Sequence, residues 1–69
     1  MNIKKIKENI ETLKNKKIHL KVNGARNQIE EFECVITEVY NYVFIVDTAS
    51  IKRSFSYTDI LIGNVEIKP

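Results

Sequence analysis

A mainly β protein is expected from this sequence: a small five-stranded barrel preceded by an N-terminal α-helix. Three observations carry that expectation. Apolar residues recur at spacings of three and four at the start of the chain, the period then drops to two, and Ile and Val, which suit strands, dominate the apolar set. The 69 residues suffice for one domain, expected over 1–69, with a basic amphipathic helix in 1–16 and the barrel in 17–69. With 43% hydrophobic and 29% charged residues the chain has enough aliphatic surface to fold, which excludes the disordered class.

Ile3, Ile6, Ile10 and Leu13 fall on one stripe of a helix from about residue 2 to residue 14, with Asn2 as its N-cap. Lys4 and Glu8, and Lys7 and Glu11, stand four apart on its exposed faces, in the less favourable order for an ion pair. A helix this short is marginal alone, so its stripe must dock, either on the core of its own domain or on a partner helix or second copy in a homodimer. After "NKK", Ile18, Leu20 and Val22 alternate with His19 and Lys21, the pattern of a strand with one buried face. Asn23 and Gly24 tolerate positive φ and predict a hairpin, although "NGARNQ" is long enough for a wider loop.

The second strand runs from Ile29 to about Val39. Its apolar parity switches between Phe32, Cys34 and Ile36 and then Val35, Thr37 and Val39, which predicts a bulge or bend midway. "YN" reverses the chain, and "YVFIVD" is a continuous apolar run suited to a central strand. "TAS" connects it to a fourth strand, "IKRSFSY", in which Ile51, Arg53, Phe55 and Tyr57 share a parity. "TDI" reads as a single helical turn with Thr58 bonding backbone amides, followed by a last short strand through Val65 and Ile67.

Charge is divided unevenly. Residues 1–27 carry eight Lys or Arg against two acids, and residues 28–69 carry three against seven, within a net charge of +2. Such a division suits nucleic acid on the basic side, head-to-tail self-association, or a plain solvated surface. Lys14, Lys16, Lys17, Lys21 and Arg26 lie between the helix end and the first hairpin, close enough to form a phosphate-neutralising patch. Lys52 and Arg53 beside Phe55 and Tyr57 extend that idea, because basic side chains next to exposed aromatics stack single-stranded bases, but Phe55 also has the parity of a core residue. Glu30, Glu31 and Glu33 of "EEFE" form either the solvated face of strand two or an acidic docking edge for a basic partner.

Catalysis has little to draw on. One His and one Cys, expected on opposite faces of adjacent strands, give no nucleophile and base pair, and no glycine-rich phosphate loop is present. The acids show no metal-ligand spacing, so neither metal nor cofactor is expected. Cys34 cannot form an internal disulfide and reads as a small core residue, which suits a reducing, cytoplasmic setting. No apolar run reaches the roughly 18 residues a membrane span needs.

One helix, a bent second strand and a one-turn break before the fifth strand resemble the order of SH3-like and Sm-like barrels, an architecture that hosts many functions. More specifically, "LKVNGARNQIE", "VYNYVFIV" and "FSYTDILIGNVEI", in that order over about residues 13–67, resemble the Veg family of small proteins from Gram-positive bacteria. The resemblance implies a non-enzymatic regulator that stimulates biofilm formation by relieving a transcriptional repressor. It therefore implies a protein partner such as a transcription regulator; direct RNA or DNA binding through the basic patch is the alternative. Asn23, Gly24, Tyr57, Asp59 and Ile60 carry over as structural positions. The chain departs from the family in having only Arg26 in a loop where relatives are more basic. It also stops at Pro69, so a function carried by a longer tail is not expected here.

Overall fold

A computed structural model describes residues 2–24 and 28–68. Among them, α1 (Ile3–Thr12) is followed by β1 (Lys17–Asn23), β2 (Ile29–Val39), β3 (Val43–Asp47), β4 (Lys52–Ser56), α2 (Tyr57–Leu61) and β5 (Val65–Lys68). The strands form one antiparallel sheet in the order β4-β3-β2-β1-β5. The fold is mainly β as expected, but the sheet is open: among the described residues β4 and β5 are its edges and do not pair, so closure into a barrel is not seen.

Asn2 caps α1 by accepting from the Lys5 amide at 2.9 Å. The apolar stripe then turns inward, with Ile6 and Ile10 buried and Ile3 and Leu13 packed against the core. Lys7 donates to Asn41 at 3.1 Å, and neither four-residue Lys–Glu spacing closes to an ion pair among the described residues. Asn15 ends the approach to the sheet in the left-handed region, φ 67°, and its amide donates to the Ile36 carbonyl at 2.7 Å.

The parity switch in β2 is a bulge. Register shifts between Ile36 and Glu38, so that Cys34 and Ile36 face the core before it and Val39, opposite Phe44, faces the core after it. The first half of β2 pairs with β1 and the second half with β3. The core gathers Leu20, Ile36, Phe44, Val46 and Tyr57, all fully buried, under the two helices.

Two turn readings need correction. Asn23 lies inside β1, opposite Ile29, and neither it nor Gly24 has positive φ. Asn23 instead donates from Nδ2 to the Gly63 carbonyl at 2.9 Å, tying the first hairpin to the α2–β5 connection. Gly24 is favoured by space: a Cβ there would meet the Gln28 carbonyl oxygen at 3.2 Å, because the Gly24 amide already bonds that oxygen. The cap of α2 is Ser56, not Thr58. Its hydroxyl accepts from the Asp59 amide at 3.1 Å while Asp59 accepts in return from the Ser56 amide, a capping box. The helix closes with Gly63 at φ 86°, whose amide bonds Ile60 while that of Asn64 bonds Asp59 at 2.8 Å, the double bond of a Schellman ending.

Candidate functional site

The helix stripe is core. Ile6 and Ile10 are 2% and 1% exposed, so they are not available to a partner; Ile3 and Leu13 line the margin of the same cluster. The reason is local: α1 runs into the sheet through the Asn15 turn, which lays its apolar face over β2 and α2.

The acidic stretch of β2 and the basic residues of β1 meet across one hairpin. Strand alternation puts Lys17, His19 and Lys21 on the outer face of the sheet, beside Glu31 and Glu33 on β2 and Glu66 and Lys68 on β5. Lys17 pairs with Glu33 at 2.8 Å, His19 meets Glu31 at 3.1 Å, and Lys21 and Lys68 reach Glu66 and Glu31, each at 3.7 Å. The hydrogen bond from His19, followed by the charge of Lys68, holds the Glu31 carboxyl below its ordinary range, and the hydrogen bond from Lys17 does the same to Glu33. Lys17 is pushed up in return by Glu33. All of these pairs lie in water and contribute little to stability.

Glu30 is on the inner parity of β2, where Arg53 reaches it at 3.1 Å. The Arg53 guanidinium also lies over the rings of Phe32 and Phe55, 5.0 and 5.1 Å from their centroids. Phe32 and Phe55 stack at 6.4 Å, so β4 curls over the first half of β2. Phe55 and Tyr57 are 8% and 0% exposed and therefore offer no platform for bases, which corrects the stacking idea.

The basic candidates do not come together as one patch. Lys14 and Lys16 are exposed between α1 and β1 and form no ion pair among the described residues, whereas Lys17 and Lys21 are held by Glu33 and Glu66. Lys52 and Arg53 sit on β4, separated from β1 by two strands. Arg26 lies outside the described residues.

His19 and Cys34 occupy opposite faces of paired strands, and burial pushes the Cys34 thiol up to about 11, the opposite of what a nucleophile needs. Among the described residues, no group of three or more His, Cys, Asp or Glu is placed to hold a metal ion. Among the described residues, no helix is long and apolar enough to cross a membrane.

The ion pairs are the part of this site that reading along the chain misses. The signal is present: a hairpin closed at Gly24 and Gln28 forces Lys17, His19 and Lys21 alongside Glu31 and Glu33. Pairing the two strands residue by residue reveals it. The family model for the biofilm formation stimulator VEG matches residues 1–68. Comparison with curated proteins finds no match.

Proposed function

The chain belongs to the Veg family of biofilm formation stimulators, and from that premise we propose that it is a cytoplasmic, non-enzymatic regulator that binds a protein controlling transcription and antagonises it. The match over residues 1–68 carries this reading, because it covers both the helix and the sheet. We read the whole chain as one unit, an SH3-like or Sm-like barrel in which the Phe32–Phe55 stack and the Arg53–Glu30 pair draw the open sheet around its core. Such a unit presents surfaces, and among the described residues His19 and Cys34 stand on opposite faces, which suits an antagonist acting by occupation. With the helix stripe consumed by the core, the outer and edge residues of β2, Glu30, Glu31 and Glu33, are the remaining protein-binding candidates.

The test uses the tagged chain to capture partners from a nuclease-treated lysate of its own cells. Recovery of a DNA-binding regulator, whose complex with its operator then dissolves as the chain is added, is the expected result. Recovery of ribosomal proteins alone would overturn the reading. Direct binding of RNA or DNA keeps one supporting observation, the exposed Lys14 and Lys16, which form no ion pair among the described residues. It predicts an affinity that falls steeply from low to physiological salt, and a flat response would remove it.

A further inference from the structure

β2 is longer than its neighbours, and the sheet leaves part of one side of it unpaired. The direction of each backbone group is set by two bonds. The Gly24 amide points to the carbonyl of Gln28, the residue before β2, and the Asn23 amide points away, to Asn64 beside β5. Backbone groups alternate along a strand, so even-numbered residues of β1 face β2, and through the register Glu30, Phe32 and Cys34 of β2 face β1. The N–H and C=O groups of Ile29, Glu31, Glu33 and Val35 therefore point the other way. Val35 finds Asp47, the last residue of β3; beyond it, among the described residues, Ile29, Glu31 and Glu33 have no strand partner on that side.

Room exists alongside. A cleft of about 460 Å³ lies between residues 30–33 and the turn at 48–51, and a second of about 520 Å³ adjoins it. Both clefts include Glu33, Thr48 and Ala49, so they flank the unpaired stretch. Ile29 and Ile51 stand at this edge 58% and 59% exposed.

We propose that this stretch of β2, residues 29–33, is a docking edge for an extended segment of a partner protein, which adds as a strand in line with β3 and alternates basic with apolar side chains. This rests on the reading of the chain as a protein-binding regulator and names the surface it uses. Backbone pairing supplies the docking and alternate side chains the selectivity. On the outer face the added strand lies beside Glu31 and Glu33, which call for Lys or Arg; on the inner face it lies beside Phe32, which calls for an apolar residue. The clefts are lined by four acids, Glu30, Glu31, Glu33 and Asp47, against Lys17 and Arg53. The chain's own ion pairs there are water-exposed and leave carboxylate oxygens for a second cation. A second copy of this edge is disfavoured as the occupant, because like carboxylates would face one another.

The test is amide hydrogen exchange on the full, isotope-labelled chain, with a capped peptide of alternating Lys and Val as the probe. In the free chain the amides of Glu31 and Glu33 exchange quickly while those of Glu30, Phe32 and Cys34 are protected. At saturation the probe slows Glu31 and Glu33 about tenfold or more. The same peptide N-methylated on alternate amides, or a Glu and Val counterpart, leaves them fast. Glu31→Pro abolishes the slowing while protection at Leu20 and Val46 persists, since the amide it removes serves no bond within the sheet. Slow exchange at Glu31 and Glu33 in the free chain, equal binding of the N-methylated peptide, or protection that rises with protein concentration alone would overturn the proposal. A regulator captured equally well by wild type and Glu31→Pro would overturn this edge and leave the functional reading standing. Protection by the probe with no regulator captured would support the edge and defeat the reading.

Discussion

Tyr57 crosses the core from the first position of α2, fully buried, with its ring stacked on Phe44 at 5.8 Å. Its hydroxyl donates to the Tyr40 carbonyl and lies 3.1 Å from that of Val43, so it fastens the β2–β3 turn to the helix. Tyr57→Phe leaves those carbonyls short of a donor and should cost about 1–3 kcal/mol, read from the midpoint of urea unfolding at unchanged slope. Cys34 offers an independent check on packing. With the thiol buried and its pKa at about 11, iodoacetamide at mildly alkaline pH should label the native chain far more slowly than the unfolded one. Labelling at the same rate in both would place Cys34 outside the core. The core residues are legible from parity, because Ile18, Leu20, Cys34, Ile36 and Phe55 each occupy the inward position that alternation gives them. Asn23 is not: its side chain acts on Gly63, forty positions along the chain, and nothing local announces that contact.

The apolar stripe of α1 could have served the core or an interface, and mutation separates the two. Ile10→Ala empties space in the core and should destabilise by about 2–5 kcal/mol without altering the sedimenting mass. A change in mass with little change in stability would return the stripe to an interface. Ser56→Ala should cost about 1 kcal/mol by removing the cap of a helix of five residues. The positions of α1, the five strands and the bulge in β2 can all be read from hydrophobic period. The bulge is visible because one extra residue, Thr37, must reverse the parity of everything after it. The ends of α2 are set by caps, which hydrophobic period does not register: Ser56-Tyr57-Thr58-Asp59 is a capping box, and the glycine after Ile62 is the stop. Closure of the sheet is the step that pattern does not decide. Parity sets which side of a strand is inward, but whether β4 meets β5 depends on accumulated twist and on the α2 connection between them.

Across the protein, the uneven charge of the linear chain is reconciled in part by the fold, since Lys17 and Lys21 of β1 pair with acids of β2 and β5 while Lys14 and Lys16 form no ion pair among the described residues. That arrangement has a pH signature. The carboxyls of Glu31 and Glu33 are lowered in the folded state, so the stability they contribute is fully present above the ordinary glutamate value of 4.5 and is lost as pH falls through their lowered values. Lys17 is raised, so its share is present below its ordinary value of 10.5 and is lost as pH rises through the raised one. Melting temperature should therefore decline slightly on the acid side, and Glu33→Gln should remove the small Glu33 share of that decline; a steeper acid-side decline in the variant would refute the assignment. The acidic candidates Glu30, Glu31 and Glu33 are legible as a cluster, but not the cations that hold them, which come from three other strands. The docking proposed for residues 29–33 therefore draws on the acid excess left at that edge, four acids against Lys17 and Arg53, and on backbone pairing as well as ions. The decisive measurement is the capture of partners by the tagged chain from a nuclease-treated lysate of its own cells, with the chain then titrated onto the captured regulator bound to its DNA. Release of the regulator from DNA in proportion to added chain is the predicted result. A regulator that stays on its DNA at saturating chain, or a capture that yields ribosomal proteins alone, would contradict it.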